Sequence, residues 1–427
     1  MNICIVGAGY VGLTTAAVLS ELGHTVHCAD RDEGKIAMLG KGQIPIYEPG
    51  LLELISRNAD QGRLSFSSDV TACMEEHDLI MIAVGTPSAA DGTADLVYVR
   101  SVLLAISTVL NKHKIIVMKS TVPPGTGKWA EQFLMDRGIP AALFDIVSNP
   151  EFLREGTAIH DTLHPDRLVI GTKSTAAAER VRALYEGIQS ETVITGQTEA
   201  ELIKYGSNAF LATKLSFVNE LSRVCDAFDA DVTMVAHGIG MDSRIGSKFL
   251  QAGIGYGGSC LPKDVNALIG AAASKEIRLN LLREVAAVND TQPDYYIGKL
   301  ENTIGAIDEN TRIAVWGATF KENTDDIRYS QAIELMKRLA AKGCTVTAFD
   351  PLVSPSIPGV NWAKSLADAT EGADALIVAT GWKEFLEADW KSILARMRGS
   401  VVMDGRNVLD QSLIAEAGLT YLGVGRP

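Results

Sequence analysis

A cysteine at the end of a glycine-rich loop is the side chain with the most chemistry to offer. The stretch FLQAGIGYGGSCLPKD (249–264) carries Gly253, Gly255, Gly257 and Gly258, with Gly246 just ahead, and then delivers Cys260. Pro262, Lys263, Asp264 and the apolar run VNALIGAAA follow, and the run reads as a helix. Glycines let the main chain bend and come close to a ligand. A helix starting after the cysteine, with proline in its first turn, sets the thiol beside unpaired N–H groups. Those groups and the Lys263 ammonium favour the thiolate, which is the nucleophile. The same stretch equally describes a glycine turn beside a packed, inert cysteine.

Three other groups carry chemistry by type and spacing. Gly7-Ala8-Gly9-Tyr10-Val11-Gly12 lies between the strand NICIV and the helical run LTTAAVLSELG, and the strand TVHCAD then ends on Asp30. That order suits a pyrophosphate at the helix N-terminus and a carboxylate on the adenosine ribose. Asp30 repels a 2′-phosphate, which favours NAD over NADP, with Lys35 a further candidate contact. Glu151 and Glu155, four apart, share a face if the segment turns helically, and so do Lys204 and Asn208. Carboxylates near a nicotinamide can move protons or activate water. A Lys/Asn pair can hold a substrate oxygen as negative charge develops. Each pair also fits ordinary surface charge. Thr86 and Thr121 end the strands DLIMIAVGTP and KIIVMKSTVPPGT, at the sheet edge where ligands bind, or they cap the helices that follow. Arg244 and Lys248, and in the last third Lys321 and Arg328, suit ligand phosphates.

The elements around these residues define an α/β chain of 427 residues, too long for a single core. The expectation is two Rossmann-like domains with parallel sheets, joined by a central helical segment. Residues 1–197 form an NAD-binding domain with DRLVIG (166–171) as its last strand. Residues 198–305 form a dimerising helical segment with the cysteine loop, and 306–427 a second Rossmann-like domain. The latter shows strands TRIAVWG, CTVTAFD, DALIVAT and SVVMDG, but no G-x-G-x-x-G, so no second dinucleotide is expected. A net charge of −13 argues against nucleic acid and anionic membranes. Six scattered cysteines without metal spacing suit a reducing cytoplasm and no metal. The N-terminus lacks the features of a signal peptide, and a soluble protein is expected.

A dinucleotide site combined with a nucleophilic cysteine points to oxidation of an alcohol to an acid. An aldehyde is trapped as a thiohemiacetal, oxidised to a thioester and released by water. In this light GAGYVG, PIYEPGL, VGTP, KSTVPPGT, SNPEFLREGTA, KYGSNAFLATKLSFVNE, GIGYGGSCLPKD and FKENTDDIR closely resemble the UDP-glucose/GDP-mannose dehydrogenase family, nearly end to end. The resemblance implies NAD-dependent four-electron oxidation of UDP-glucose to UDP-glucuronate, with two NAD per turnover and a homodimer. It implies Cys260 as nucleophile, Lys204 and Asp264 in a water and oxyanion network, and Asn208 polarising the reacting oxygen. Thr121 and Glu151 would position water. Besides the glycine loop with Tyr10 and Val11, it implies Asp30, Lys35, Thr86, Thr121, Glu155, Lys263 and Arg328 at the cofactor. Phe152, Leu153, Arg154, Glu155, Lys204, Asn208, Phe249, Leu250, Gln251, Ala252, Gly253, Gly257, Phe320 and Lys321 would meet the nucleotide sugar, with Arg244 offered from a neighbouring subunit. The second proline of TVPPGT and the variation around FKENTDDIR are departures that touch no proposed catalytic position. Rival readings are the same reaction on a UDP-N-acetylhexosamine or GDP-mannose, a two-electron hydroxyacid dehydrogenase, and an NAD-binding sensor.

Overall fold

The computed structural model describes residues 1–89 and 91–426. The chain folds as two compact units, Met1–Ser207 with Gly270–Ile277 and Asn208–Ile269 with Arg278–Pro427. Most of the stretch 198–305 therefore lies in the second unit.

The first unit is built on eight strands: β1 (Asn2–Val6), β2 (Thr25–Ala29), β3 (Leu64–Ser67), β4 (Leu79–Ile82), β5 (Lys114–Met118), β6 (Phe144–Ser148), β7 (Arg167–Gly171) and β8 (Glu191–Thr195). Their order is β3-β2-β1-β4-β5-β6-β7-β8. Strand β1 shows why helices must cover both faces. Ile3 and Ile5 enter one apolar layer with Leu13 and Leu54, while Cys4 and Val6 enter the other with Ile106 and Ile116. A strand buried on both sides in this way belongs to a doubly wound sheet. The strand order reverses between β1 and β4, and at such a switch point doubly wound sheets bind ligands beyond the carboxyl ends of their strands.

Every adjacent pair is parallel except β6 and β7, which are antiparallel. One expectation is corrected here: β7 is not the last strand of this otherwise parallel sheet. Strand β8 escapes recognition because Val193 and Ile194 are exposed in ETVIT, so it lacks the apolar run of a buried strand. The antiparallel return keeps residues 149–166 at the carboxyl edge of the sheet, since β6 ends there and β7 starts there.

The second unit carries β9 (Arg312–Trp316), β10 (Thr345–Phe349), β11 (Val360–Trp362), β12 (Ala375–Val378), β13 (Val401–Asp404) and β14 (Thr420–Gly423). The order is β11-β10-β9-β12-β13-β14, parallel throughout. Both sheets use one device. Gly7 (φ +114°) ends β1 and Gly317 (φ +98°) ends β9. Asp30 Oδ2 accepts from Ala8 N at 2.7 Å, and Asp350 Oδ2 from Ala318 N at 2.8 Å. What differs is the next element. The Tyr10–Glu21 helix opens directly after the first loop, whereas the helix after Gly317 starts only at Gln331.

The helix Gln197–Ala227 runs for 31 residues, starting in the first unit and continuing in the second. No helix among the described residues is long and apolar enough to cross a membrane.

Candidate active site

In the first unit the three glycines of the loop answer two different demands. A β-carbon at Gly12 would stand 1.8 Å from Gly7 O, and one at Gly7 would stand 2.6 Å from Ala83 O, so both are fixed by close packing. A β-carbon at Gly9 would meet nothing within 4 Å. The space before Gly9 is open, and the Tyr10–Glu21 helix starts there with no side-chain cap on its first amides. That is the arrangement an anion needs. Asp30 also accepts from Asp32 N at 3.0 Å, so its carboxylate is held on the loop side. Lys35 lies on the Glu33–Gly40 helix, half-buried.

Further along the same edge, Thr86 Oγ1 donates to Thr121 O at 2.9 Å, tying the ends of β4 and β5 together. Lys204 Nζ and Glu151 Oε1 form an ion pair at 3.0 Å with both side chains almost fully buried. Glu151 Oε2 accepts from Leu153 N, and the Phe152 ring lies between Arg167, 3.9 Å from its centroid, and Lys204 at 5.3 Å. Arg154 is turned to Asp161, which accepts from its main-chain N, Nε and Nη2 at 2.7–2.9 Å. Glu155 is buried. Thus Thr86 and Thr121 form one group, and Glu151, Phe152 and Lys204 form another. A small cleft lined by Ser120, Thr121, Ser148, Pro150, Glu201 and Lys204 lies between them.

In the second unit Cys260 is the residue from which the Leu261–Ala273 helix starts, its carbonyl accepting from Asp264 N at 2.9 Å. The thiol is half-buried with Ser259 Oγ at 3.6 Å. Asp264 is fully buried and joins two partners, Asn208 Nδ2 at 2.6 Å and Lys263 Nζ at 2.5 Å. The Lys263 ammonium, expected to favour the thiolate, is paired with Asp264. Proximity along the helix decides this, because the carboxylate is the next residue and is itself buried. Phe249 adopts φ +63°, and Leu250 and Ala252 are packed in the core of this unit. Any ligand contact from those two is through the main chain. Gln251 is exposed and Gly253 is buried, with Gly253 N donating to Asn219 Oδ1 at 2.9 Å. Gly257 is forced by its neighbour, since a β-carbon would stand 2.3 Å from Tyr329 O, while the Phe320 ring covers Gly258. Lys321 lies beside that ring. Arg328 is held by Asp326, and the exposed Arg244 by Asp242 two residues away.

Among the charges not singled out from the sequence are the buried Glu201 and the half-buried Arg406. Glu201 accepts from Gly125 N at 2.6 Å, Gly127 N at 2.7 Å and Ser148 Oγ at 3.1 Å. Burial pushes its carboxyl pKa up, and those three donors hold it down in part. Arg406 donates to Ala379 O, Gly255 O and Phe320 O at 2.6–3.0 Å, joining three loops of the second unit, and burial pulls its pKa down. The signal for Glu201 was its place three residues before Lys204, on the same helical face.

Three family models match the chain in order. They describe the NAD binding domain (residues 1–189), the central domain (198–291) and the UDP binding domain (314–411) of UDP-glucose/GDP-mannose dehydrogenases. The chain belongs to the UDP-glucose/GDP-mannose dehydrogenase family. It is an NAD-dependent oxidoreductase, and the open space before Gly9, the uncapped helix start and the anchored Asp30 fit that cofactor. Among relatives of this dehydrogenase, a putative UDP-glucose 6-dehydrogenase of Bacillus subtilis is 49% identical, with 100% of each chain covered. A UDP-glucose dehydrogenase structure from Pyrobaculum islandicum has a TM-score of 0.93 at 35% identity, covering 100% of this chain and 98% of the other. A UDP-D-ManNAc dehydrogenase structure from Pyrococcus horikoshii has a TM-score of 0.90 at 26% identity, covering 100% and 99%.

Proposed function

We propose that this dehydrogenase oxidises UDP-glucose to UDP-glucuronate, with Cys260 carrying the carbon between two oxidations. NAD, when bound, takes up the hydride lost in each oxidation, so two are consumed per sugar. The primary alcohol first becomes an aldehyde. Cys260 Sγ attacks the aldehyde carbon, and the new oxyanion takes a proton to give a thiohemiacetal. Loss of that proton and of a hydride yields a thioester. Water then adds to the thioester carbon, the C–S bond breaks, and the acid leaves with the thiolate restored. Asn208, its amide oriented by Asp264, holds the reacting oxygen, and Lys204 balances its negative charge. Thr121 and Glu151 position the water.

The observation that carries this reading is Cys260 at the start of a helix whose first turn supplies Asp264 to Asn208. A hydride-transfer enzyme without a covalent intermediate has no use for that thiol. The substrate assignment follows the relative at 49% identity and the structure at TM-score 0.93, both named for UDP-glucose. The P. horikoshii structure named for UDP-D-ManNAc motivates the second reading, the same chemistry on an acetamido sugar. Comparing kcat/KM for UDP-glucose, UDP-N-acetylmannosamine and GDP-mannose tests the choice. Preference for UDP-glucose by tenfold or more is expected, and preference for either other sugar overturns it.

The reading includes a homodimer through the Gln197–Ala227 helix, on which Phe210, Phe217 and Val224 are exposed. It also includes a cytoplasmic location, which six cysteines with no disulfide between them fit.

A further inference from the structure

Glu48, in the PIYEPGL segment of the first unit, is 4% exposed and accepts from three donors. Its Oε1 accepts from Ala158 N at 2.7 Å. Its Oε2 accepts from Gly156 N at 2.6 Å and from the Tyr10 hydroxyl. Gly156 N also lies 2.8 Å from the Tyr10 oxygen. Tyr10 is the first residue of the helix behind the glycine loop, and Gly156 directly follows the Glu151–Glu155 segment. Three N–H and O–H groups from two separate loops thus converge on one carboxylate. A carboxylate, with acceptor sites on both oxygens and no donor of its own, suits all three. Asp161 holds the other side of the same segment through Arg154.

We propose that Glu48 is a positioning residue that locks the cofactor loop to the 151–156 segment, so that binding of both the dinucleotide and the nucleotide sugar depends on it. The proposal rests on the reading that this segment meets the sugar nucleotide. Glu48→Gln puts an amide donor against a donor; Tyr10→Phe removes one donor and keeps the packing. NADH binding is followed by fluorescence and UDP-glucose binding by calorimetry without NAD, each on the wild type, both single variants and the double. Hydrogen exchange of the Gly156 and Ala158 amides and a thermal melt accompany them.

In Glu48→Gln both ligands are expected to bind at least tenfold more weakly, with faster exchange at those amides and a retained fold. Tyr10→Phe, although it lies in the cofactor loop, is expected to weaken UDP-glucose as well, and to add little to Glu48→Gln. Binding of both ligands within twofold of wild type, or loss of one alone, overturns the proposal. If Glu48→Gln does not fold, unchanged UDP-glucose binding in Tyr10→Phe overturns it. A wild type that binds NADH but not UDP-glucose overturns the functional reading and this proposal together.

Discussion

At the scale of single residues, two glycines of one loop separate stability from ligand binding. Gly12→Ala drives a methyl into Gly7 O, 1.8 Å away, and is expected to cost on the order of 3 kcal/mol or prevent folding. Gly9→Ala meets nothing in the protein. It is expected to change stability by less than about 0.5 kcal/mol. Its methyl enters the space reserved for the pyrophosphate, so NADH affinity falls at least about tenfold. Melting curves and NADH titrations check both, and a Gly9→Ala protein that binds NADH normally contradicts the assignment. Lys204→Met leaves the Glu151 carboxylate buried without its ammonium, at an expected cost of about 3–5 kcal/mol in urea unfolding. Adding Glu151→Gln should recover part of that loss; strict additivity would mean the pair is not coupled. Cys260, Lys204 and Asn208 stand out in the sequence because their types and spacing suggest a reaction, and Asp264 stands out through the family resemblance; their roles belong to the proposal above. Glu48, Glu201 and Arg406 are not, because a lone charge reads as solvent-facing until the fold brings main-chain groups onto it.

At the scale of elements, Glu201 shows one helix capping another. Its carboxylate takes the amides of Gly125 and Gly127, at the start of the Thr126–Met135 helix. Burial raises its pKa above the ordinary glutamate value. The folded state therefore holds this proton to higher pH than the unfolded chain does. The stability from protonation is full below the unfolded pKa of about 4.3 and is lost as pH rises through the folded value. Glu201→Gln cannot titrate, so the stability of the wild type relative to this variant should fall from about pH 4.5 towards neutrality. Urea unfolding across that range checks it, and a difference that grows with pH contradicts it. Strands β1, β2 and β4 to β7, and four of the six in the second unit, are legible as apolar runs ending in turns. Strands β3, β8, β11 and β14 are not, because edge strands are short or partly exposed and carry no such run. The antiparallel β6–β7 pair is also hidden in the sequence, since apolar patterning sets which face is buried and not which way a strand runs.

At the scale of the whole molecule, the repeated glycine-and-aspartate device ties the two sheets to one architecture, while only the first loop opens directly onto a helix. The order of domains follows from the α/β rhythm of the sequence, as does the long proline-free helix. The exposed Phe210, Phe217 and Val224 recur at seven-residue intervals along it. An apolar stripe of that kind on an exposed helix face is what the proposed homodimer rests on. Phe210→Asp combined with Phe217→Asp is expected to turn a dimer into a monomer by light scattering. A monomeric wild type contradicts the dimer.

The central claim is that Cys260 retains the carbon through two oxidations, and NADH formed per UDP-glucose consumed tests it most directly. Two NADH per sugar are expected in the wild type, with UDP-glucuronate formation lost or stalled as a covalent adduct in Cys260→Ser. One NADH per sugar, with Cys260→Ser unaffected, would contradict it and make the cysteine a structural residue.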